Sequence, residues 1–160
     1  MKHSHPGQAR RRGGTLLTAA LLAAHAASAQ SLSPTQGLSF GAFVAASNGT
    51  LTVQPSGARS TTGQVYAIQQ GPPATAAVFT VQGTPQASYN VSLPAPMSVT
   101  LNDGSGHAMA VAQFTRSNIG LQVIGPGGQS QFSVGAQLQI PSAMPRGNYS
   151  AAFNVTVNYE

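Results

Sequence analysis

Cysteine and tryptophan are absent from this chain of 160 residues, and charge is scarce. Without cysteine there is no disulfide, no thiolate nucleophile and no thiolate metal ligand. Without tryptophan the largest stacking platform for a sugar ring is missing. Charged residues make up 6 % of the sequence, where an ordinary soluble domain has about a quarter. Acid–base catalysis and paired-carboxylate hydrolysis both draw on side chains that are nearly missing here.

The charge that exists is unevenly placed. Of seven basic residues, four (Lys2, Arg10, Arg11 and Arg12) stand at the start, followed by the apolar run "TLLTAALLAAHAASA" that closes on Ala27-Ser28-Ala29. A basic head, a short apolar core and a small-x-small ending describe a secretory leader, residues 1–29, cleaved after Ala29. The apolar run is shorter than the roughly 20 residues that cross a bilayer. Beyond it only Arg59, Arg116 and Arg146 face Asp103 and Glu160, a net +1 with no lysine. Nucleic-acid binding needs clustered Lys and Arg, so that class is excluded. The expected location is the periplasm, the cell surface or the exterior.

Residues 30–37, "QSLSPTQG", form a short lead-in with a strand-breaking Pro34, and residues 38–160 make one domain. Within it, β-favouring runs recur about every 8–12 residues between Gly, Pro, Asn and Ser. They cover 38–44, 49–53, 64–68, 76–82, 88–93, 97–101, 107–115, 119–124, 131–140 and the closing stretch 149–160. No apolar period of 3.6 residues is present, so almost no helix is expected. The fold class is all-β: an immunoglobulin-like antiparallel sandwich of about 8–10 strands.

Two runs define the faces. In "QFSVGAQLQI", Phe132, Val134, Ala136, Leu138 and Ile140 share one side, with Gln, Ser and Gly on the other. The end of the chain alternates too: Tyr149, Ala151, Phe153, Val155, Val157 and Tyr159 share a face. These two strands, joined by "PSAMPR", are expected to pair as a hairpin, and "LNDGSGHAM" should form another. Burying the large residues of the last strand is worth on the order of 10 kcal/mol as an upper figure. Whole domains are stable by about 5–15 kcal/mol. Deletion of residues 149–160 should therefore abolish folding.

Chemistry has few candidates. His107 is the one histidine beyond the leader, and Asp103 and Glu160 are the only side-chain acids. A Ser-His-Asp relay around "DGSGH" lacks the packed support such a relay needs, and a solvated turn is the expected role. One histidine without cysteine makes no transition-metal site, and calcium at Asn102 and Asp103 is a weak option. No catalytic, cofactor or metal residue is assigned. Tyr89, Tyr149 and Tyr159 fall on apolar faces and read as core, while Tyr66 is a candidate for exposure. Four Asn-x-Ser/Thr sequons (Asn48, Asn90, Asn148 and Asn154) are the number chance allows in such a composition.

The ordered set "LSFGAF", "GTLTVQPSGARSTTGQV", "AVFTVQGTPQASYNVSLP", "VTL" and "IPSAMPRGNYSAAFNVTVNYE" resembles the bacterial domain of unknown function 4402 family over residues 38–160. That resemblance implies an exported β-sandwich of unsettled role. The ending is also similar to chaperone–usher pilus subunits, including the spore-coat-U-like group, with Gly147 fourteenth from the end and Tyr159 penultimate. This second resemblance implies a strand edge at Gly147, Tyr149, Phe153, Val155, Val157 and Tyr159. There a periplasmic chaperone, and later a like subunit, would add a strand. Pilins carry an alternating N-terminal donor, whereas residues 30–37 offer only Leu32. The other donor is "LSFGAFV", with Leu38, Phe40, Ala42 and Val44 on one face; folded back it completes its own sandwich, and released it joins subunits. The expectation is a non-enzymatic exported structural or adhesive surface protein, with a monomeric ligand- or glycan-binding module as the alternative.

Overall fold

The computed structural model describes residues 29–160, so the expected leader lies outside them except for Ala29. Among the described residues there are ten strands and no helix. The strands are β1 (Ser31–Gln36), β2 (Phe43–Val53), β3 (Arg59–Ala67), β4 (Ala77–Gln82) and β5 (Ser88–Ser92). They continue with β6 (Thr100–Asn102), β7 (Ala108–Arg116), β8 (Gln122–Val123), β9 (Gln129–Ile140) and β10 (Thr156–Tyr159). Every pairing is antiparallel. A seven-stranded sheet runs β1-β4-β9-β2-β3, with β7 on β9 and β6 on β7; a three-stranded sheet runs β10-β5-β8. The all-β sandwich expected from the alternation is the fold.

β9 is the spine. Its inward residues Phe132, Val134, Ala136, Leu138 and Ile140 are each 2 % exposed or less, as their period of two requires. Val134 pairs with both Ala77 and Arg116, and Leu138 with both Leu51 and Val111. β7 therefore holds one edge of β9, while β4 and then β2 share the other. The hand-over falls at Gly135, where a Cβ would collide with the backbone of Val53, Gln54 and Pro55. With both edges of β9 occupied, the expected hairpin between β9 and the chain's end does not form. The terminal strand lies in the opposite layer, where its apolar face covers β4 and β9. The hairpin expected at "LNDGSGHAM" does form, with Asn102 opposite Ala108.

The core has two unequal halves. In the first, Phe79, Val81, Phe132 and Val134 of the large sheet meet Tyr89, Val91 and Ile124 of the small one. In the second, Leu51, Val53, Val65, Val111 and Leu138 have no strand layer of comparable regularity above them. Leu38, Phe43, Leu101, Met144 and Tyr149 cover them only partly.

Four further expectations are corrected. The lead-in is a strand: β1 pairs with β4 as an edge, where a proline without an N–H is tolerated, and its register slips between Pro34 and Gln36. "LSFGAFV" is not one alternating strand, because Gly41 turns at φ 69° and a Cβ there would meet the backbone of Ala74 and Pro72. Past that turn Phe43 faces inward and Val44 outward, 48 % exposed. The run expected at 119–124 shrinks to β8, leaving Ile119 90 % exposed, and the run at 97–101 shifts to β6.

Candidate functional site

The closing segment departs most instructively from its pattern. Its alternation holds from Phe153 onward, where Phe153, Val155, Val157 and Tyr159 all pack against the first half of the core, but Ala151, expected on the same face, is exposed. Its pairing does not hold, since only Thr156–Tyr159 form a ladder, with β5. Continued backward, that register sets Asn154 opposite Pro94, which has no N–H to give. The ladder stops there. Upstream, Ser150 exchanges both backbone bonds with Asn102, at 3.0 Å each. Between these anchors, Ala151–Val155 make no backbone hydrogen bond among the described residues.

Parity then separates the two edges. Ser150, Thr156 and Glu160 turn their peptide groups toward Asn102, Ser92 and Ser88. Within the ladder, Val157 and Tyr159 turn theirs the other way, where no strand lies among the described residues, and Tyr149, Ala151, Phe153 and Val155 make no backbone hydrogen bond there either. Tyr149, Phe153, Val155, Val157 and Tyr159, the residues named for an assembly edge, thus have inward side chains and unpartnered edge backbone. Gly147 lies apart, exposed before the segment begins, 3.5 Å from Asp103 when given a Cβ.

Beside Tyr149–Phe153 runs an open groove of about 980 Å³. The closing segment makes one wall, and residues 38–45 make the other. Met109, Val111 and Leu138 form its floor, and Arg146 is the one charged residue lining it. The second wall is also half-paired. Phe43–Ala45 bond β3 on one side, while β9 reaches β2 only from Gly49 onward. A pin holds this wall: Arg59 donates through Nη1 to the carbonyls of Phe40 (3.3 Å) and Ala42 (3.1 Å), and through Nη2 to that of Ile68 (3.1 Å). Composition counted Arg59 only as charge. Its isolation in a chain so poor in charge was the available signal that it has a structural task.

At the far end of the segment, the Tyr159 ring tilts against Tyr89 at 6.5 Å, and its hydroxyl lies 3.1 Å from the Gln82 carbonyl and 3.3 Å from that of Ser31. Tyr159 therefore ties β10 to β4 and β1 across the sandwich. Burial raises its phenol above the ordinary value, and Tyr89 adds to the effect. Midway, Phe153 packs on Phe114 at 4.9 Å and edge-on to Phe79 at 6.3 Å.

The acid–imidazole pair is built as a turn. Asp103 accepts from the backbone N–H of Ser105 (2.7 Å) and His107 (3.1 Å), and its Oδ2 lies 2.7 Å from His107 Nδ1. Desolvation would raise this carboxyl, but those donors, Ser105 foremost, together hold it below its ordinary value. The other ring nitrogen of His107 bonds no hydroxyl, amide or acid among the described residues. Desolvation, with the negative charge of Asp103 added, lifts the Tyr149 phenol; its hydroxyl donates to Pro145 at 3.0 Å.

The profile of the family described as Domain of unknown function (DUF4402) matches residues 31–159. The chain belongs to that family. Its match begins at the first residue of β1 and ends with the last of β10, so it spans every strand of the sandwich. No curated protein and no solved structure matches the chain.

Proposed function

We propose that this family member is an exported structural or adhesive surface protein, fimbrial-subunit-like, that works by adding a β-strand from a partner. One observation carries the reading. One backbone edge of Tyr149–Tyr159 has no partner among the described residues, and the first part of the segment lines an apolar groove whose opposite wall is half-paired as well. A strand laid in that groove would meet hydrogen-bonding groups on both sides and apolar side chains beneath, which is how strand addition gains affinity and register. The partners of this reading are a periplasmic chaperone during export and like subunits afterwards.

Ala151→Pro tests it in the chain expressed with its leader and recovered after export. Ala151 is exposed, and its N–H has no backbone partner among the described residues, so proline removes a donor that the isolated chain does not use. The expected result is a thermal midpoint close to wild type, with loss of the higher-order species that wild type forms in size-exclusion chromatography. Wild type that stays monomeric at every concentration, or a proline variant that assembles as well as wild type, overturns the reading.

A further inference from the structure

The outer face of the large sheet, turned away from the core, is a lattice of neutral hydrogen-bonding side chains. Cross-strand partners share a face, so the pairing registers give its rows. Ser60, Thr52, Gln137 and Gln113 form one row across β3, β2, β9 and β7. Thr62, Thr50 and Gln139 form the next. On the β4 side, Ser33, Thr80 and Gln131 make a third row, and Ser31, Gln82 and Gln129 a fourth. The rows are internally bonded: Thr50 Oγ1 to Thr62 Oγ1 at 2.7 Å, Gln137 Nε2 to Thr52 Oγ1 at 3.2 Å, and Gln131 Nε2 to Thr80 Oγ1 at 3.1 Å. These contacts fix hydroxyl and amide directions; Thr80 is buried beneath Gln131, and the other groups keep a further donor or acceptor site.

No charge interrupts the lattice. Arg59 and Arg116 belong to these strands, but they pair with the buried Val53 and Val134 and so sit on the inner side. Asp103 is in the β6–β7 turn, Arg146 follows β9, and Glu160 follows β10. A second, independent feature stands at one corner of the same face. Tyr66, 59 % exposed, pairs with Val44, 48 % exposed, and together they present a ring and an aliphatic side chain to solvent. Solvation alone accounts for hydroxyls on a strand surface. It gives no reason for an exposed tyrosine–valine pair on the same ordered face.

We infer that this face is an adsorption surface for a neutral polysaccharide, distinct from the strand-pairing edge except at Val44, which also lines the groove. Such a polymer offers hydroxyls that both donate and accept, no charge, and apolar C–H faces suited to a tyrosine ring. A charged polymer would find no counter-charge here.

The test is depletion of the exported chain from solution by microcrystalline cellulose, chitin and cross-linked dextran, with alginate beads as the anionic comparison. The expected result is retention on at least one neutral solid and not on alginate. That retention should persist in about 1 M salt, where screening extends only ~3 Å. Thr62→Lys with Gln139→Lys, both at exposed positions, should weaken retention about tenfold, a change of about 1.4 kcal/mol. Tyr66→Ala should weaken it too. Asn90→Lys, exposed on the small sheet, should leave it unchanged, and matching circular dichroism melts confirm that each variant is folded. Failure on all three neutral solids, loss of binding in salt, or full retention by the double-lysine variant overturns the inference. So does a wild-type dimer that this variant converts to monomer, because a second copy would then be what covers the face.

Discussion

Replacing Tyr159 isolates what the last strand contributes. The ring is partly buried against Tyr89 and the backbone of Gly83, and the hydroxyl reaches carbonyls of two strands in the other sheet. Tyr159→Phe keeps the ring and removes one hydrogen bond, at a cost of about 1 kcal/mol. Tyr159→Ala removes the ring as well. Full burial of a large side chain is worth roughly 1.5–3 kcal/mol, and this one is half-buried, so the total is about 3 kcal/mol. For a domain of this size one kcal/mol moves the midpoint by roughly 3–5 °C, giving shifts of about 4 °C and about 12 °C. Urea melts should show the same ordering with an unchanged slope. A pH series adds an independent check. The folded-state phenol lies above 10.0, so its contribution is complete below pH 10 and is lost as pH rises through the folded value. Tyr159→Phe should lack that alkaline loss. An alanine variant within ~0.5 kcal/mol of wild type would refute the claim that this residue joins the layers, since surface substitutions fall in that range.

Arg59→Ala removes three hydrogen bonds, but the Ala42 carbonyl keeps the Ile68 N–H and the Ile68 carbonyl is exposed, so the Phe40 carbonyl bears most of a cost of about 1–2 kcal/mol by urea melt. Arg59→Lys should recover only part because an ammonium cannot span the fork. Gly135→Ala drives a Cβ into backbone rather than a movable side chain, so a loss of roughly 2–3 kcal/mol or failure to accumulate is expected on expression and melting. The Asp103 carboxyl is held below its ordinary 3.8, so its stabilising effect is present above that value and fades as pH falls through the folded one. Asp103→Asn should therefore flatten the acid limb of the thermal midpoint measured between about pH 5 and pH 2.

Periodicity carried most of the fold. The inward faces of β4, β5, β7 and β9 follow from alternation alone, and even in the unladdered part of the closing segment Phe153 and Val155 face the core as their spacing demands. What alternation cannot carry is partnership. Whether Thr156 pairs with Ser92 or with a residue of β9 depends on which edges are already filled, and β9 fills both of its own. Pro94 ends the β10 ladder only because register sets it opposite Asn154, although "LPAP" was legible as a breaker. Pro34 misled in the other direction: read as a strand-breaker, it sits in an edge strand that tolerates it. The groove was invisible because it is made by two segments a hundred residues apart, each reading as an ordinary strand. The hydroxyl and amide rows were visible one strand at a time, but their continuity needed the registers.

Edges and charge belong to one problem. A strand edge left bare invites pairing with other chains, and proteins usually guard it with lysine, proline, a bulge or brevity. With no lysine after the leader, this chain depends on the other devices. β1 carries Pro34 and a register slip, β3 carries Gly63 at φ 69° opposite a slip in β2, and β8 is two residues long. From Tyr149 to Tyr159 there is no proline, charge or glycine, and the odd-numbered peptide groups have no backbone partner among the described residues. Guarding was therefore within reach of this composition, and it is applied to the other outer edges but not to this one. The unguarded edge is also the one bordering the apolar groove, where a second strand would find both its hydrogen bonds and its burial. Two independent omissions at one place are better explained by a partner that fills them than by a tolerated defect.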